Sequence, residues 1–296
     1  MAYFIQQLVT GLAVGGTYAL VALGFVLYFG VLNILNIAHA QTLMLAPVLI
    51  VVLMQAGAAW PIAVGAAIVL TFVYSYAVYI VCMKPFTRPG REASYLAPFV
   101  ASFGVSMLTE NLASTWLGSQ PLSFPLRLPA DVWHVGTVAV VPIQAIGLVI
   151  CCVLMLALAW VVGRTAFGRA MRAVAENRAV AEAQGISADR TTVITVVMAT
   201  FLGVVAGLLF AAGTTSVSPF VGLEYGLKGM VVMIIGGVTS LAGAVVAGLL
   251  VGLLETGITA YVSSTYQDTI TFGLLFLILL VRPQGLFTIL SREGRP

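Results

Sequence analysis

The side chains that could carry out acid–base or nucleophilic chemistry are few and scattered. The two histidines, His39 and His134, belong to no HExxH metal motif and have no cysteine nearby. Ser102 and Ser106 stand in S-F-G-V-S, which is not a GxSxG nucleophile elbow, and no base lies nearby in the sequence. No nucleophile, base and orienting group can be assembled from these residues. The sequence therefore predicts no enzyme, no catalytic residue, no metal site and no cofactor.

A phosphate-binding loop is also absent from the sequence. The G-x-x-x-x-G-K-[ST] pattern, with which P-loop ATPases hold the phosphates of ATP, occurs nowhere in the chain. We therefore expect that any work driven by ATP depends on a partner protein.

Polar side chains interrupt an apolar run near the N-terminus. Asn33, Asn36, His39 and Gln41 all fall within residues 31–42. Polar groups are costly in lipid and usually face the interior of a helix bundle or a cavity. These four side chains could therefore line a path for a solute, or they could form hydrogen bonds that hold helices together. The sequence leaves both interpretations open.

A second interruption is rich in glycine and lies within the apolar run 227–254. Backbone that is not helical at membrane depth is tolerated only where protein or a water-filled cavity satisfies it. A pair of interrupted segments in two halves of a chain indicates a binding site between internal repeats. We therefore predict that solute passes between the two interruptions, although close helix packing also explains the glycines. The candidate path residues of the second interruption are Gly236, Gly237, Thr239, Ser240 and Gly243.

The third unusual stretch, residues 164–190, is charged. It holds five arginines, two glutamates and one aspartate, although the whole chain has only 13 Lys+Arg and 10 Asp+Glu. No proline or glycine interrupts residues 169–184, Thr165 can cap the start of a helix, and Gly185 can end it. This pattern predicts one short helix outside the membrane. Its apolar residues are too few and too small for a core, which indicates docking into another protein; an ordinary solvated loop is the alternative.

The composition places these three stretches in a membrane protein. Hydrophobic residues make up 61% of the chain and charged residues 8%, with a mean hydropathy of +1.10, whereas about 25% of residues are charged in soluble proteins. A helix needs about 20 apolar residues to cross a bilayer. The stretches of suitable length are 4–28, 31–54, 60–81, 95–116, 138–162, 192–213, 227–254 and 268–282. We therefore predict an all-α polytopic membrane protein with about eight or nine membrane segments, and no nucleic-acid partner.

Basic residues predict which loops face the cytoplasm. Three lie in residues 82–94, five in 163–191 and three more in the C-terminal tail. If all three regions are cytoplasmic, the run 227–254 must enter the membrane and return, as a re-entrant loop or as two short spans. The side of the N-terminus stays open. The chain then divides into a first half (1–162), the charged segment (163–191) and a second, related half (192–296).

Taken together, these motifs resemble the permease subunits of high-affinity branched-chain amino acid ABC importers, over nearly the whole chain. The family's N-x-A-H-G is similar to residues 36–40, its G-G-x-x-S-x-x-G-A to 236–244 and its R-P-x-G-L-F to 282–287. Its cytoplasmic pattern, T-x-x-G-R-A-x-R-A-x-x-x-N-x-x-A-A-x-x-x-G-I, is met at Thr165, Gly168, Arg169, Ala170, Arg172, Ala173, Asn177, Ala181, Gly185 and Ile186.

The resemblance implies a machine of several chains in the bacterial inner membrane. Two permease subunits, of which the second is a different but related chain, would join two ABC ATPase subunits and a periplasmic solute-binding protein. Residues 168–185 would form a coupling helix in a groove of an ATPase. The coupling residues would be Thr165, Gly168, Arg169, Arg172, Glu176, Asn177 and Gly185. Branched-chain amino acids would be the leading candidates for the solute, and permeases for urea, amides, other amino acids or small aromatic acids would have a similar sequence.

The path itself is expected to bind its solute weakly. The resemblance implies that specificity lies in the soluble binding protein, and the absence from the sequence of a charged pair for a zwitterion fits that expectation. The alternative function is a self-sufficient secondary transporter or channel for a small polar solute, which would need a coupling ion or a filter. No acid falls clearly at a midplane, because Glu255 and Asp268 lie at the ends of predicted spans. A membrane scaffold that transports nothing also remains open.

Overall fold

The computed structural model describes residues 2–86, 96–125, 133–135, 138–282 and 285–286. The basic residues of the loop 87–94 and most of the C-terminal tail, including Phe287, lie outside the described residues. The α-helices are α1 (Ala2–Leu32), α2 (Gln41–Gln55), α3 (Trp60–Val78), α4 (Leu96–Leu117), α5 (Pro142–Arg164), α6 (Ala166–Glu176), α7 (Arg178–Ala183), α8 (Ala188–Thr214), α9 (Val221–Gly236), α10 (Leu241–Tyr261) and α11 (Gln267–Val281). The strands are β1 (Leu122–Ser123), β2 (Trp133–Val135), β3 (Val138–Val140) and β4 (Ser216–Val217), and they pair antiparallel as β1 with β4 and β2 with β3.

The predicted all-α membrane fold is confirmed. Within the part of the chain that the structure describes, six helical segments are long and apolar enough to cross a bilayer: Tyr3–Leu32, Ile37–Gln55, Trp60–Phe86, Pro142–Arg164, Ala188–Thr214 and Leu241–Tyr261. Helix α4 is outside this set, as are α9 and α11, which have 16 and 15 residues. The total of eight or nine membrane segments and the division into two related halves stay predictions.

Helix α1 runs through the centre of the bundle and packs closely against α10. A Cβ on Gly11 would lie 3.0 Å from the Cα of Leu253, and one on Gly15 would lie 2.8 Å from the carbonyl oxygen of Gly248. Small residues allow two helix backbones to approach this closely. Because the residue numbers rise along one helix and fall along the other, α1 and α10 are antiparallel.

Contacts near the ends of the helices define two sides of the bundle. The hydroxyl of Thr10 lies 3.4 Å from the side-chain oxygen of Gln144, so the N-terminal part of α1 lies beside the start of α5. The other end of α5 leads into the charged segment. The N-terminus of the chain and the charged segment are therefore at opposite ends of the bundle. Lys84 lies 3.6 Å from Asp189 at the start of α8, which places the loop after α3 on the charged side, as the basic residues predict.

The first polar interruption is a real break in the helices. Helix α1 ends at Leu32, Asn33 has a left-handed backbone (φ 54°), and a short 3-10 turn from Ile37 to Ala40 leads into α2. The N–H of Ile37 donates to the hydroxyl of Ser102 on α4 (3.1 Å). Ser102 is fully buried, so a neighbouring helix satisfies backbone that is not helical, as required inside a membrane. Ser102 therefore packs between helices.

The second interruption divides the run 227–254 into two helices, as parity predicts. Helix α9 ends at Gly236, and Gly237 has a positive φ of 102° that only glycine adopts readily. The hydroxyl of Ser240 accepts from the N–H of Gly243 (3.0 Å) and so caps α10. The N–H of Leu286 donates to the carbonyl of Ile235 (2.8 Å), which fixes the chain after α11 against this turn.

Candidate functional sites

The charged segment forms two helices, so the prediction of one uninterrupted helix over 169–184 is wrong. The hydroxyl of Thr165 accepts from the N–H of Gly168 (3.3 Å) and caps α6 as predicted. Asn177 then leaves the helical conformation (φ −157°, ψ 108°), and its side-chain oxygen accepts from the N–H of Val180 (3.1 Å) to start α7. Asparagine offers the backbone this local alternative to a continuous helix. Gly185, with φ 84°, follows the end of α7 as predicted.

Two of the predicted coupling residues hold α6 against the end of α5. A Cβ on Gly168 would overlap the carbonyl group of Val162, so only glycine allows this approach. The Nη1 of Arg172 donates to the same carbonyl oxygen (2.5 Å). Helix α6 is therefore tied to the last turn of α5 by one backbone approach and one charged hydrogen bond.

The apolar side of the charged segment packs on the chain's own core. Met171, Val174 and Ala181 are only 5%, 6% and 2% exposed and belong to the main hydrophobic cluster. These apolar side chains are therefore buried against the chain's own bundle, as the apolar face of an amphipathic helix is, and docking of the segment into another protein stays a prediction. The exposed face carries Arg169 and Glu176. A partner would meet this polar face.

Ion pairs connect the charged segment to neighbouring helices. Arg178 pairs with Glu182 (3.1 Å) and with Asp189. Asp189 also pairs with Lys84 (3.6 Å). Each exposed pair contributes only about 0–1 kcal/mol, so their main effect is geometric. They join α7 to the start of α8, and the start of α8 to Lys84 in the turn that follows α3.

Three of the four polar residues of the first interruption lie deep inside the protein. Asn36 and His39 are 2% exposed and Gln41 is fully buried. The imidazole of His39 packs against the rings of Phe25 and Tyr28, with centroid distances of 5.1 and 5.3 Å. Asn33, by contrast, is exposed. The role of these residues in a solute path stays a prediction.

The same interruption is joined to its neighbours by tight packing and by a side-chain hydrogen bond, in addition to the bond from Ile37 to Ser102. The Nε2 of Gln41 donates to the hydroxyl of Ser106 on α4 (2.9 Å). A Cβ on Gly226 would overlap the side chain of Ala40, and one on Gly222 would overlap the amide of Gln41. The polar break therefore packs against the first half of α9.

The glycine turn has the geometry of close helix packing. A Cβ on Gly236 or on Gly243 would overlap the backbone of the other residue. Ser240 serves as the helix cap, and Thr239 is exposed. The sequence motif thus brings α9 and α10 together at their junction, and the part its residues play in a solute path is still a prediction.

A pocket of about 460 Å³ opens between α1, α5, α8, α9, α10 and α11. Gln144 near the start of α5 and Thr214 at the end of α8 both line it, so it lies at the end of the bundle opposite the charged segment. We call it the outer pocket. None of the sequence-predicted path residues is among the described residues that line it. Its polar walls include Gln7, Thr10, Thr17, Tyr18, Gln144, Tyr225, Glu255, Thr256, Thr259 and Gln267.

Beside this pocket lies a buried charge cluster that sequence reasoning missed. The Nζ of Lys228 is 3.4 Å from Glu255 and 2.8 Å from Asp268. The side chains of Lys228 and Glu255 are 3% and 1% exposed, whereas that of Asp268 is 57% exposed. The sequence analysis did not identify this pair, and the expectation that no charged pair holds a zwitterionic solute stays a prediction. The available signal was a lysine inside an apolar run, since a buried charge is stable only when it is paired.

Glu255 connects several helices. It accepts hydrogen bonds from the hydroxyl of Tyr18 on α1 (2.6 Å), from the Nε2 of Gln267 (2.8 Å) and from the hydroxyl of Thr271 on α11 (3.1 Å). Glu255 does not lie at the end of a span, as the sequence predicted, because α10 continues beyond it to Tyr261. Such a network stabilises one arrangement of the helices only while all its members are paired.

Known proteins match this chain over almost its full length. The family model described as "Branched-chain amino acid transport system / permease component" matches residues 7–280. The high-affinity branched-chain amino acid transport system permease protein LivH of Escherichia coli K12 is 31% identical, over 99% of this chain and 96% of its own length. The corresponding protein BraD of Pseudomonas aeruginosa is 30% identical, over 99% of this chain and 97% of its own length.

More distant relatives share only part of the chain. The ribose import permease protein RbsC of Bacillus subtilis is 25% identical, over 62% of this chain and 58% of its own length. Among solved structures, none matches. The extent of the family match, together with the helical membrane fold, shows that this chain belongs to the family of permease components of branched-chain amino acid transport systems.

Proposed function

We propose that this chain is the membrane-spanning permease subunit of an ATP-driven importer that carries branched-chain amino acids into the cell. The observation that supports this most strongly is the charged segment, which is folded into two capped helices at the end of the bundle opposite the outer pocket. Two relatives that align with nearly the whole chain are permeases named for branched-chain amino acid transport.

The proposed assembly contains two ABC ATPase subunits, a second and related permease, and a periplasmic solute-binding protein. ATP hydrolysis belongs to the ATPase subunits. The polar face of α6, with Arg169 and Glu176 exposed, is the surface that meets an ATPase. Arg169 would contact acidic groups of that subunit, and Glu176 a basic one.

The contacts within the chain explain how movement at this surface would reach the membrane. Helix α6 is tied to α5 through Val162, and α7 is tied to α8 through the Arg178–Asp189 ion pair. When ATP closes the ATPase pair, a displacement of α6 and α7 pulls on both of the flanking helices. ATP binding shifts the permease toward one state only because ATP binds the two states of the assembly with different affinities.

Reconstitution tests the proposal directly. The chain is co-expressed with a related permease and ABC ATPase subunits of the same family of importers, placed in liposomes that contain ATP, and supplied with binding protein and labelled leucine outside. We expect uptake that requires ATP and the binding protein. A purified homo-oligomer of this chain that moves leucine at the same rate without ATP would show a secondary transporter or channel instead. Intact assembly with no movement of any amino acid would indicate a scaffold.

A further inference from the structure

The negative charge of Glu255 is satisfied inside the protein, although this residue lines the outer pocket. Its side chain is 1% exposed and lies 3.4 Å from the Nζ of Lys228. Hydrogen bonds from Tyr18, Gln267 and Thr271 occupy further acceptor positions of its carboxylate, which has about four in all. Among the described residues that line the pocket, Glu255 is the single charged side chain. The groups that can bind a solute there are therefore neutral.

Two amides on the wall of the pocket have N–H groups without a partner. The hydroxyl of Thr10 lies 3.4 Å from the Oε1 of Gln144, so the oxygen of this amide faces Thr10. Within the described part of the chain, no hydrogen bond reaches the Nε2 of Gln144 or the side-chain amide of Gln7. Gln7 lies three residues before Thr10 on one face of α1, so the two amides flank the same hydroxyl. We call Gln7 and Gln144 the amide pair.

The amide pair favours a carboxylate over an ammonium group. Each free NH2 supplies two donors, and a carboxylate only accepts hydrogen bonds, whereas an ammonium group only donates them. Gln144 belongs to the first turn of α5, where the partial positive charge of the helix end also favours an anion. Glu255 is bonded to Tyr18, eight residues after Thr10 on α1 and about 12 Å further along the helix. The carboxylate of a solute at the amide pair would therefore be well separated from that of Glu255.

The rest of the outer pocket suits a small solute with an aliphatic side chain. Its volume of about 460 Å³ is within the range of about 300–1,000 Å³ typical of small-molecule sites. Val14 follows Thr10 by one turn of α1, and Leu209 and Ile143 line the same pocket. At the mouth, Thr214 lines the pocket and is exposed. An ammonium group there can stay hydrated and needs no fixed negative charge.

We propose that Gln7 and Gln144 bind the carboxylate of the transported amino acid in the outer pocket, and that Val14 and Leu209 contact its aliphatic side chain. An arginine would hold the carboxylate with two charged hydrogen bonds, so neutral amides bind it more weakly and allow its release. This assignment rests on the proposed function as an amino acid importer. It differs from the sequence prediction, in which the solute passes between the two interrupted segments.

A labelling experiment on the assembled permease and ATPase complex, without binding protein, tests the site. Ala260 lines the pocket, and Ala260→Cys places a small reporter thiol there. Cys152, which is the exposed cysteine, is changed to Ser, while Cys82 and Cys151 are buried. Reaction of this chain with a maleimide is followed by mass in the presence of three probes of similar shape. These are L-leucine, 4-methylpentanoate, which lacks the ammonium group, and 3-methylbutylamine, which lacks the carboxylate.

We expect leucine and 4-methylpentanoate to slow labelling about ten-fold at ten times their dissociation constants. The amine, at the same concentration as 4-methylpentanoate, should leave the rate unchanged. Gln144→Leu keeps a side chain of similar size but removes its N–H groups, so about ten times more 4-methylpentanoate should be needed for half protection. Gln7→Leu should act in the same direction. Gln6→Leu changes the neighbouring residue of α1, which does not line the pocket, and is the matched control that should keep the protection.

The comparison of the three probes needs no change in the amide pair, so it is decisive even if a variant fails to assemble. Equal protection by the amine and by 4-methylpentanoate would overturn the assignment. Protection by 4-methylpentanoate that is unchanged when Gln7→Leu and Gln144→Leu are combined would also overturn it. ATP-driven leucine uptake is measured on the same preparation after binding protein is added. Uptake without the expected protection pattern contradicts only the site, whereas absence of uptake by the unmodified complex contradicts the proposed function.

Discussion

The Nη1 of Arg172 lies 2.5 Å from the carbonyl oxygen of Val162, so a side chain of α6 is bonded to the last turn of α5. The free carbonyl groups at the C-terminal end of a helix accept such hydrogen bonds readily, and a positive charge there is favourable. Arg172 therefore has a role inside the chain in addition to any contact with an ATPase. Arg169, three residues earlier, is exposed and is therefore the better candidate for a contact with the ATPase.

The first prediction concerns this surface. Arg169→Glu combined with Arg172→Glu reverses two charges and should abolish ATP-driven uptake while the subunit remains inserted in the membrane. Arg190→Glu, an exposed change outside residues 168–185, is the control and should retain uptake. The measurements are co-purification of the ATPase and labelled leucine uptake. Normal uptake by the double variant would rule out the proposed coupling surface.

The second prediction concerns the close approach of α6 to α5. Gly168→Ala places a methyl group against the backbone of Val162 and should cost about 1–3 kcal/mol of local stability. We expect faster proteolysis within 163–191 and weaker retention of the ATPase. Gly163→Ala is the matched control, because a Cβ at that position meets nothing within 4 Å. Equal protease resistance of the two variants would contradict this interpretation of Gly168.

The third prediction compares the stability lost when one buried charge is left unpaired with the stability lost when both charges of the pair are removed. Lys228→Met leaves Glu255 without its lysine and should destabilise the protein by about 3–5 kcal/mol, seen as a lower melting temperature in detergent. Lys228→Met with Glu255→Gln removes both charges and should recover much of that loss. Asp268→Asn should cost less than Lys228→Met, because the side chain of Asp268 is 57% exposed. A double variant less stable than Lys228→Met alone would argue against an ion pair.

The fourth prediction tests the packing of α1 against α10. A Cβ on Gly252 would overlap the backbone of Gly15, whereas one on Gly257 meets nothing within 4 Å. Gly252→Val should therefore lower the yield of folded protein and its melting temperature, and Gly257→Val should change them little. Size-exclusion profiles and thermal unfolding in detergent measure both effects. The same loss in both variants would mean that a larger side chain anywhere in α10, and not the contact with α1, decides the outcome.

Much of the fold can be predicted from the sequence because lipid imposes strict rules on the backbone. Long apolar runs must form helices. Because the basic loops were all assigned to one side of the membrane, the run 227–254 had to cross it twice or turn back, and it does divide at Gly236. Thr165 and Gly185 were identified as helix ends because capping is a local property. The break at Asn177 was missed because its capping of α7 competes with a helix that the neighbouring alanines also favour.

The candidate site could be predicted only in part, because burial depends on distant segments. Glu255 and Lys228 belong to different helices, and Tyr18 is far from both in the chain. The polar residues in the first apolar run led to the prediction that His39 and Gln41 line a solute path, and both lie inside the packed core. Polar residues within an apolar run, such as His39 and Gln41, can therefore be buried in the core, while Lys228 and Glu255, which the sequence did not single out, form a buried pair.

The antiparallel contact between α1 and α10 also has a consequence for biosynthesis. Helix α1 is synthesised before α10 and eight of the described α-helices lie between them in the chain, so the centre of the bundle can close only after all of those helices have been made. Contacts between distant segments form late and slowly. Until then, the small residues of α1 such as Gly15 face lipid or other helices. A nascent chain cut short before α10 should therefore be an early substrate for membrane quality control.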